Sequence, residues 1–109
     1  MQRRILGAAV MIAAMPGSWA SAKQPTIADA QHAYHLGQYR HSLALFESLA
    51  GRRNAEAAEC AGFMLLMGEP MYGTQVKRDV DRARELLTQA AAAGRAGAGF
   101  LLNMVERTD

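Results

Sequence analysis

Residues 54–94 read NAEAAECAGFMLLMGEPMYGTQVKRDVDRARELLTQAAAAG, and this stretch decides the fold. Its first third predicts a helix over 55–67, because its residues are mostly apolar and none from position 60 to position 67 is charged. Asn54 is a residue type that caps helix amino ends, and Gly68 is typical of the position just after a helix. We expect this helix to be the central and most buried one.

The last third of the same stretch predicts another helix. Asp79 is placed as its amino-terminal cap, Asp81 lies in the first turn where a negative charge favours the helix dipole, and Gly94 marks the end. Its apolar stripe consists of Val80, Ala83, Leu86, Leu87, Ala90 and Ala91. The small alanines permit a close helix approach. The segment between the two helices contains Pro70 and Gly73 and predicts turns rather than a continued helix.

The chain before this stretch predicts a helical hairpin. Thr26 and Asp29 have the spacing of a capping box, which starts a helix over 27–36 that ends before Gly37. The next helix ends at Gly51, and its apolar face consists of Leu43, Phe46, Leu49 and Ala50.

The tail over 95–107 predicts a short fifth helix. Gly97 and Gly99 weaken its start by about 1 kcal/mol each relative to alanine. Its apolar residues are Phe100, Leu101, Met104 and Val105. One helix face can bury only some of these side chains, so the remainder is expected to form an exposed apolar patch. No segment has the alternation of a strand, and the sequence therefore predicts an all-α fold.

Residues 1–22 have the organisation of a secretory signal peptide. Two arginines form a basic head, residues 5–15 carry no charge, and small residues at 20–22 favour cleavage after Ala22. The apolar run has 11 residues, whereas a membrane-crossing helix needs roughly 20. We therefore expect a periplasmic or secreted protein of residues 23–109 without a stable membrane anchor.

Charge and cysteine content limit the function classes of the mature chain. The full sequence has 12 basic and 10 acidic residues, and removal of the leader with its two arginines leaves 10 of each. A balanced charge does not indicate a nucleic-acid partner. The single cysteine, Cys60, cannot form an internal disulfide, so helix packing must supply the stability, with Cys60 as a buried apolar residue.

The two predicted hairpins align with each other at a constant offset of 41 residues. Positions 42, 46, 49 and 50 correspond to positions 83, 87, 90 and 91, and the match continues from 54, 55 and 57 to 95, 96 and 98. A helical hairpin that cannot bury its apolar face alone implies stacking of similar hairpins. The chain is therefore predicted to contain two hairpins and half of a third.

The segment 57–94 resembles a Sel-one-like repeat of the tetratricopeptide superfamily. The resemblance is carried by glycines at 62 and 68, a loop closing on VKRD at 76–79, and then Ala83, Ala90, Ala91 and Gly94. The segment 23–53 is similar to an ordinary tetratricopeptide unit through Gly37, Tyr39, Phe46 and Leu49. This resemblance implies a short right-handed solenoid made of a hairpin over 23–53, a Sel-one-like repeat over 54–94 and a terminal half-repeat over 95–109.

The same resemblance implies an exported protein–protein interaction module, an adaptor or scaffold that binds a peptide or partner helix in a helical groove and has no enzymatic activity. In that arrangement Tyr34, Phe63 and Leu66 would lie on the inner side, and Tyr72 would be exposed on the loop over 69–75. The carboxy-terminal helix is expected to dock against a partner or, as a homodimer, against a second copy of the chain; the alternative is that it folds down as the cap of the solenoid. The candidate partner-binding residues are Tyr34, Phe63, Leu66, Tyr72, Phe100 and Met104.

The sequence does not indicate a catalytic, cofactor or metal site. His32, His35 and His41 are near one another along the chain, but a metal site needs three or four converging ligands, and exposed helix histidines are the favoured interpretation. A rival function is a hydrolase or antibiotic-binding protein of the secreted Sel-one-like kind. That function would need paired cysteines or a converging acid, base and nucleophile. A third alternative is a relic of a longer solenoid.

Overall fold

The computed structural model describes residues 24–108, and every regular element in that range is helical. The elements in chain order are α1 Ile27–His35, α2 Tyr39–Gly51, α3 Ala55–Met67, α4 Glu69–Tyr72, a 3-10 turn Gly73–Gln75, α5 Val80–Ala92 and α6 Ala96–Thr108. The predicted all-α fold is confirmed for this part of the chain. None of these helices is long and apolar enough to cross a membrane. The predicted signal peptide and its cleavage site after Ala22 lie outside the described residues.

Three helices begin at the caps that the sequence predicts. At α1 the hydroxyl of Thr26 accepts the backbone N–H of Asp29 at 3.2 Å, while the Asp29 carboxylate accepts the N–H of Thr26 at 2.8 Å. This reciprocal pair is a capping box. The side chains of Asn54 and Asp79 accept first-turn N–H groups at 2.9 Å and 3.0 Å, which starts α3 and α5.

Helix α3 lies at the centre of the fold and packs against α2, α5 and α6. Its crossing with α5 is very close: a β-carbon at Gly62 would lie 2.7 Å from Cγ of Leu87 and 3.4 Å from the carbonyl oxygen of Ala83. Ala83, Ala90 and Leu87 are fully buried, and Phe46 is 2 % exposed. The predicted close crossing through small residues is therefore confirmed.

The segment between α3 and α5 differs from the turns predicted for it. It forms α4 and a 3-10 turn, and Pro70 is tolerated because it lies in the first turn of α4, where its missing N–H has no helical partner. Gly68 has φ +63°, and a β-carbon there would lie 2.5 Å from Cβ of Arg78. The positive φ and the close approach of Arg78 both require glycine at this position. They arise because the segment after α4 returns to the end of α3, where the N–H of Asp79 donates to the carbonyl of Leu65 at 3.0 Å.

The same segment is bound to the first hairpin. The side chain of Gln75 donates to the carbonyl of Gly37 at 2.9 Å and accepts the backbone N–H of Arg40 at 3.2 Å. The hydroxyls of Tyr34 and Tyr72 lie 2.8 Å apart and share a hydrogen bond, and the Tyr72 ring is only 4 % exposed. The prediction that Tyr72 is exposed on a surface loop is therefore wrong, because α4 turns this ring into the protein.

Candidate functional site

A groove of about 320 Å³ opens between α1, α3 and α6. Its floor is formed by Phe46 and Met64, which are 2 % and 1 % exposed. We call it the α1–α3–α6 groove, and it is lined by Gln31, Tyr34, His35, Phe46, Glu59, Cys60, Phe63, Met64 and Leu101. Most of these side chains are apolar or aromatic, with polar groups only at the edge. Such a lining suits the burial of an apolar surface.

The structure brings two of the predicted inner-side residues together in this groove. Tyr34 from α1 and Phe63 from α3 both line it, and each is half-buried. Leu66 was expected on the same inner side, but it is 6 % exposed and belongs mainly to the core. It borders a second cavity of about 300 Å³, together with Met67, Pro70, Arg78, Met104 and Val105. Leu66 therefore offers a partner little surface.

Helix α6 divides its apolar residues between the core and the surface, as the sequence predicts. Val105 is 2 % exposed and Leu101 lines the α1–α3–α6 groove. Phe100 and Met104, one turn apart, are 67 % and 41 % exposed. Both glycines near the start lie within the helix, which begins at Ala96. The predicted exposed patch on this helix is present.

The groove and the second cavity lie along the same face of α3. Sequence reasoning missed Cys60 and Met67 as lining residues, although they lie three residues before and four residues after Phe63 and so follow one helix face. Met104 of α6 borders the second cavity, and Phe100 lies one helical turn before it on the same side of α6. We call the α1–α3–α6 groove, the second cavity and the exposed ring of Phe100 together the front face.

Charged groups flank the two ends of the front face. At the groove end, one carboxylate oxygen of Glu59 accepts Nε and Nη2 of Arg95 at 2.8 Å and 2.7 Å, and Glu56 accepts the amide of Gln31 at 3.3 Å. At the second cavity the basic side chain is that of Arg78. The Glu69 carboxylate accepts the backbone N–H of Arg78 at 3.2 Å, and the charge of Lys77 acts on the same carboxylate. The groove end thus has two carboxylates and one guanidinium, and the other end has two basic side chains and one carboxylate.

Cys60 lies half-buried in the groove wall. Burial first, and then the carboxylates of Glu56 and Glu59, raise the pKa of its thiol to about 11. A thiol with that pKa is protonated at neutral pH and is a poor nucleophile. Cys60 therefore contributes apolar surface to the groove.

The three histidines that the sequence analysis weighed as metal ligands do not form a metal site. His32, His35 and His41 are exposed on α1 and α2. Within residues 24–108 no three or more histidine, cysteine, aspartate or glutamate side chains form a group that could hold a metal ion.

Comparison with protein-family models, with curated proteins and with solved structures found no match to this chain. The geometry of the front face therefore carries the functional argument. Its chemistry is that of an apolar binding surface with the aromatic side chains of Tyr34, Phe46 and Phe63 in a hollow, the exposed ring of Phe100 on α6 and charges at the ends. Such a surface binds through desolvation and shape.

Proposed function

We propose that the mature protein is an exported protein–protein interaction module of the Sel-one-like and tetratricopeptide type, and that its α1–α3–α6 groove receives a peptide or helix. The observation that carries this proposal is the apolar groove itself, which Tyr34, Phe63 and Leu101 line. The residue before Leu101 on α6, Phe100, is 67 % exposed. An apolar helix face laid in a groove is a common mode of peptide recognition. The protein acts by binding and has no catalytic step.

The repeat architecture in this proposal is supported by two turns with the same backbone geometry. At the α2–α3 turn the N–H of Asn54 donates to the carbonyl of Leu49, and at the α5–α6 turn the N–H of Arg95 donates to the carbonyl of Ala90, both at 3.1 Å. The preceding residue has a positive φ in each turn, +73° at position 53 and +96° at position 94. These pairs are separated by the same 41 residues as the sequence match. The α1–α2 turn has the same type of bond, from the N–H of Gln38 to the carbonyl of Ala33 at 2.9 Å after Gly37 at φ +78°, so this turn type alone does not mark a repeat. Its recurrence at the 41-residue spacing supports the stacked hairpins of the proposed solenoid.

The binding free energy that a partner can gain by burying these side chains is moderate. Full burial of one large apolar side chain contributes roughly 1.5–3 kcal/mol, and Phe100 offers most of its surface. Association itself costs an estimated 4 kcal/mol or more in lost freedom of motion. A partner must therefore cover Phe100 together with the exposed parts of Tyr34 and Phe63.

The proposal is tested by site-specific photo-crosslinking in cells that export the protein. A photoreactive residue at position 63 is expected to give a discrete adduct. The same residue at Thr88, which is exposed on α5 and does not line the groove, is the control and is expected to give none. Equal labelling from both positions, or no adduct from position 63, would contradict binding in the groove.

A further inference from the structure

The front face carries both a hollow and a projection. The hollow is the α1–α3–α6 groove, with a volume of about 320 Å³ and mostly apolar walls. The projection is the ring of Phe100, which is 67 % exposed and directly precedes Leu101 in the groove wall. A surface that has an apolar hollow and an exposed apolar ring side by side can fit against a copy of itself. Each ring then enters the other hollow.

The charges at the two ends of the front face select one orientation of such a pair. Glu56 and Glu59 lie at the groove end, and Arg78 lies at the second cavity. Glu59 pairs with Arg95, and Glu56, which accepts the amide of Gln31, lies within electrostatic reach of the same guanidinium. Two carboxylates therefore share one cation at this end, which leaves it a net negative charge for a partner cation. From Glu59 to Met67 the face extends about 12 Å along α3, at 1.5 Å per residue.

In a dimer whose two-fold axis is perpendicular to α3, the two copies of α3 run antiparallel to each other. The acidic end of each copy then faces the basic end of the other, and the match occurs twice. A parallel arrangement would instead place Arg78 beside Arg78 and Glu56 beside Glu56. Two-fold dimers with one self-complementary surface are the commonest form of soluble oligomer, and opposite charges across an interface fix its register.

We propose that the occupant of the groove is a second copy of this chain, in an antiparallel two-fold dimer. Phe100 of each copy enters the α1–α3–α6 groove of the other, and Glu56 of each copy pairs with Arg78 of the other. This inference rests on the proposed function, because it names the partner of the same groove.

The test is a charge swap followed by sedimentation equilibrium over a wide range of protein concentration. Glu56→Lys and Arg78→Glu are each expected to weaken self-association at least tenfold, because each places like charges together twice. An equimolar mixture of the two variants is expected to associate as tightly as the wild type, since both contacts of the mixed dimer then join opposite charges. Glu106→Lys is the control, because this exposed residue lies on another side of α6, and it is expected to change nothing.

A second variant tests the apolar contact. Phe100→Glu is expected to be monomeric with an unchanged helical circular dichroism spectrum, because the ring is largely in solvent in the single chain. The dimer is overturned if the wild type is monomeric at every concentration, if Phe100→Glu associates as the wild type does, or if mixing the charge variants restores nothing. In each of these cases a crosslink from position 63 to a different protein would leave the proposed function standing. If position 63 also gives no adduct, both proposals fail.

Discussion

Replacing Gly62 by alanine is expected to destabilise the protein, although alanine favours a helix over glycine by about 1 kcal/mol. The new β-carbon would lie 2.7 Å from Cγ and 2.8 Å from Cδ2 of Leu87, whose side chain is fully buried. Either α3 and α5 move apart or Leu87 leaves its rotamer, and overpacking of this kind costs about 1–3 kcal/mol. The net loss in the free energy of unfolding is therefore expected to be roughly 1 kcal/mol.

Gly99→Ala is the matched control for this change. Gly99 is also helical, but no atom lies within 4 Å of a β-carbon added there. This variant is expected to gain up to about 1 kcal/mol from helix propensity alone. The difference between the two variants, about 1–3 kcal/mol, then measures the crowding at the α3–α5 crossing.

Equilibrium urea unfolding followed by far-ultraviolet circular dichroism gives both free energies. In a Leu87→Ala background the clashing atoms are absent, so Gly62→Ala is expected to lose its destabilising effect. The close crossing would be refuted if the Gly62 and Gly99 variants were equally stable, or if Leu87→Ala left the effect of Gly62→Ala unchanged.

Four further predictions follow from the packing, the titrating groups and the leader. Ala83→Leu is expected to lower the free energy of urea unfolding by about 1–3 kcal/mol through overpacking, and a neutral result would contradict the predicted helix register. Burial, and then the hydrogen bond that Tyr72 shares with Tyr34, raise the pKa of Tyr72 in the folded state. Stability should therefore be complete below pH of about 10 and fall above it, and Tyr72→Phe should flatten that fall in urea titrations at alkaline pH. Alkylation of Cys60 by iodoacetamide should be slow at neutral pH and should accelerate toward the thiol pKa of about 11, and fast reaction near neutrality would disprove its protonated state. Amino-terminal sequencing of exported protein should begin at Lys23, and an intact leader would contradict cleavage after Ala22.

The helices and their ends could be predicted because their causes are local. The capping box of Thr26 and Asp29 and the caps Asn54 and Asp79 depend on residues within one turn, and each makes the expected hydrogen bond. Helical spacing likewise predicted the burial of Leu87 and Ala83. In these cases the residues that form the structure are near one another in the sequence.

The segment 69–75 could not be predicted in the same way, because its conformation depends on distant groups. Tyr72 is buried by the first hairpin, 38 residues earlier in the chain, and Gln75 binds the carbonyl of Gly37 across the same separation. No local pattern reveals such contacts. Of the three residues predicted for the inner side, Tyr34 and Phe63 line the groove, whereas Leu66 is 6 % exposed and lies in the core.

The contacts of the segment 69–75 also affect how the protein opens. In helical repeat arrays each hairpin touches only its neighbours through helix faces, and stability divides into separate contributions. Here Tyr72 and Gln75 lie in the segment that connects α3 to α5, and each makes a hydrogen bond to the preceding hairpin of α1 and α2. Opening either hairpin breaks contacts that hold the other. The backbone amides of both are therefore expected to exchange with solvent in step, as parts of one cooperative unit.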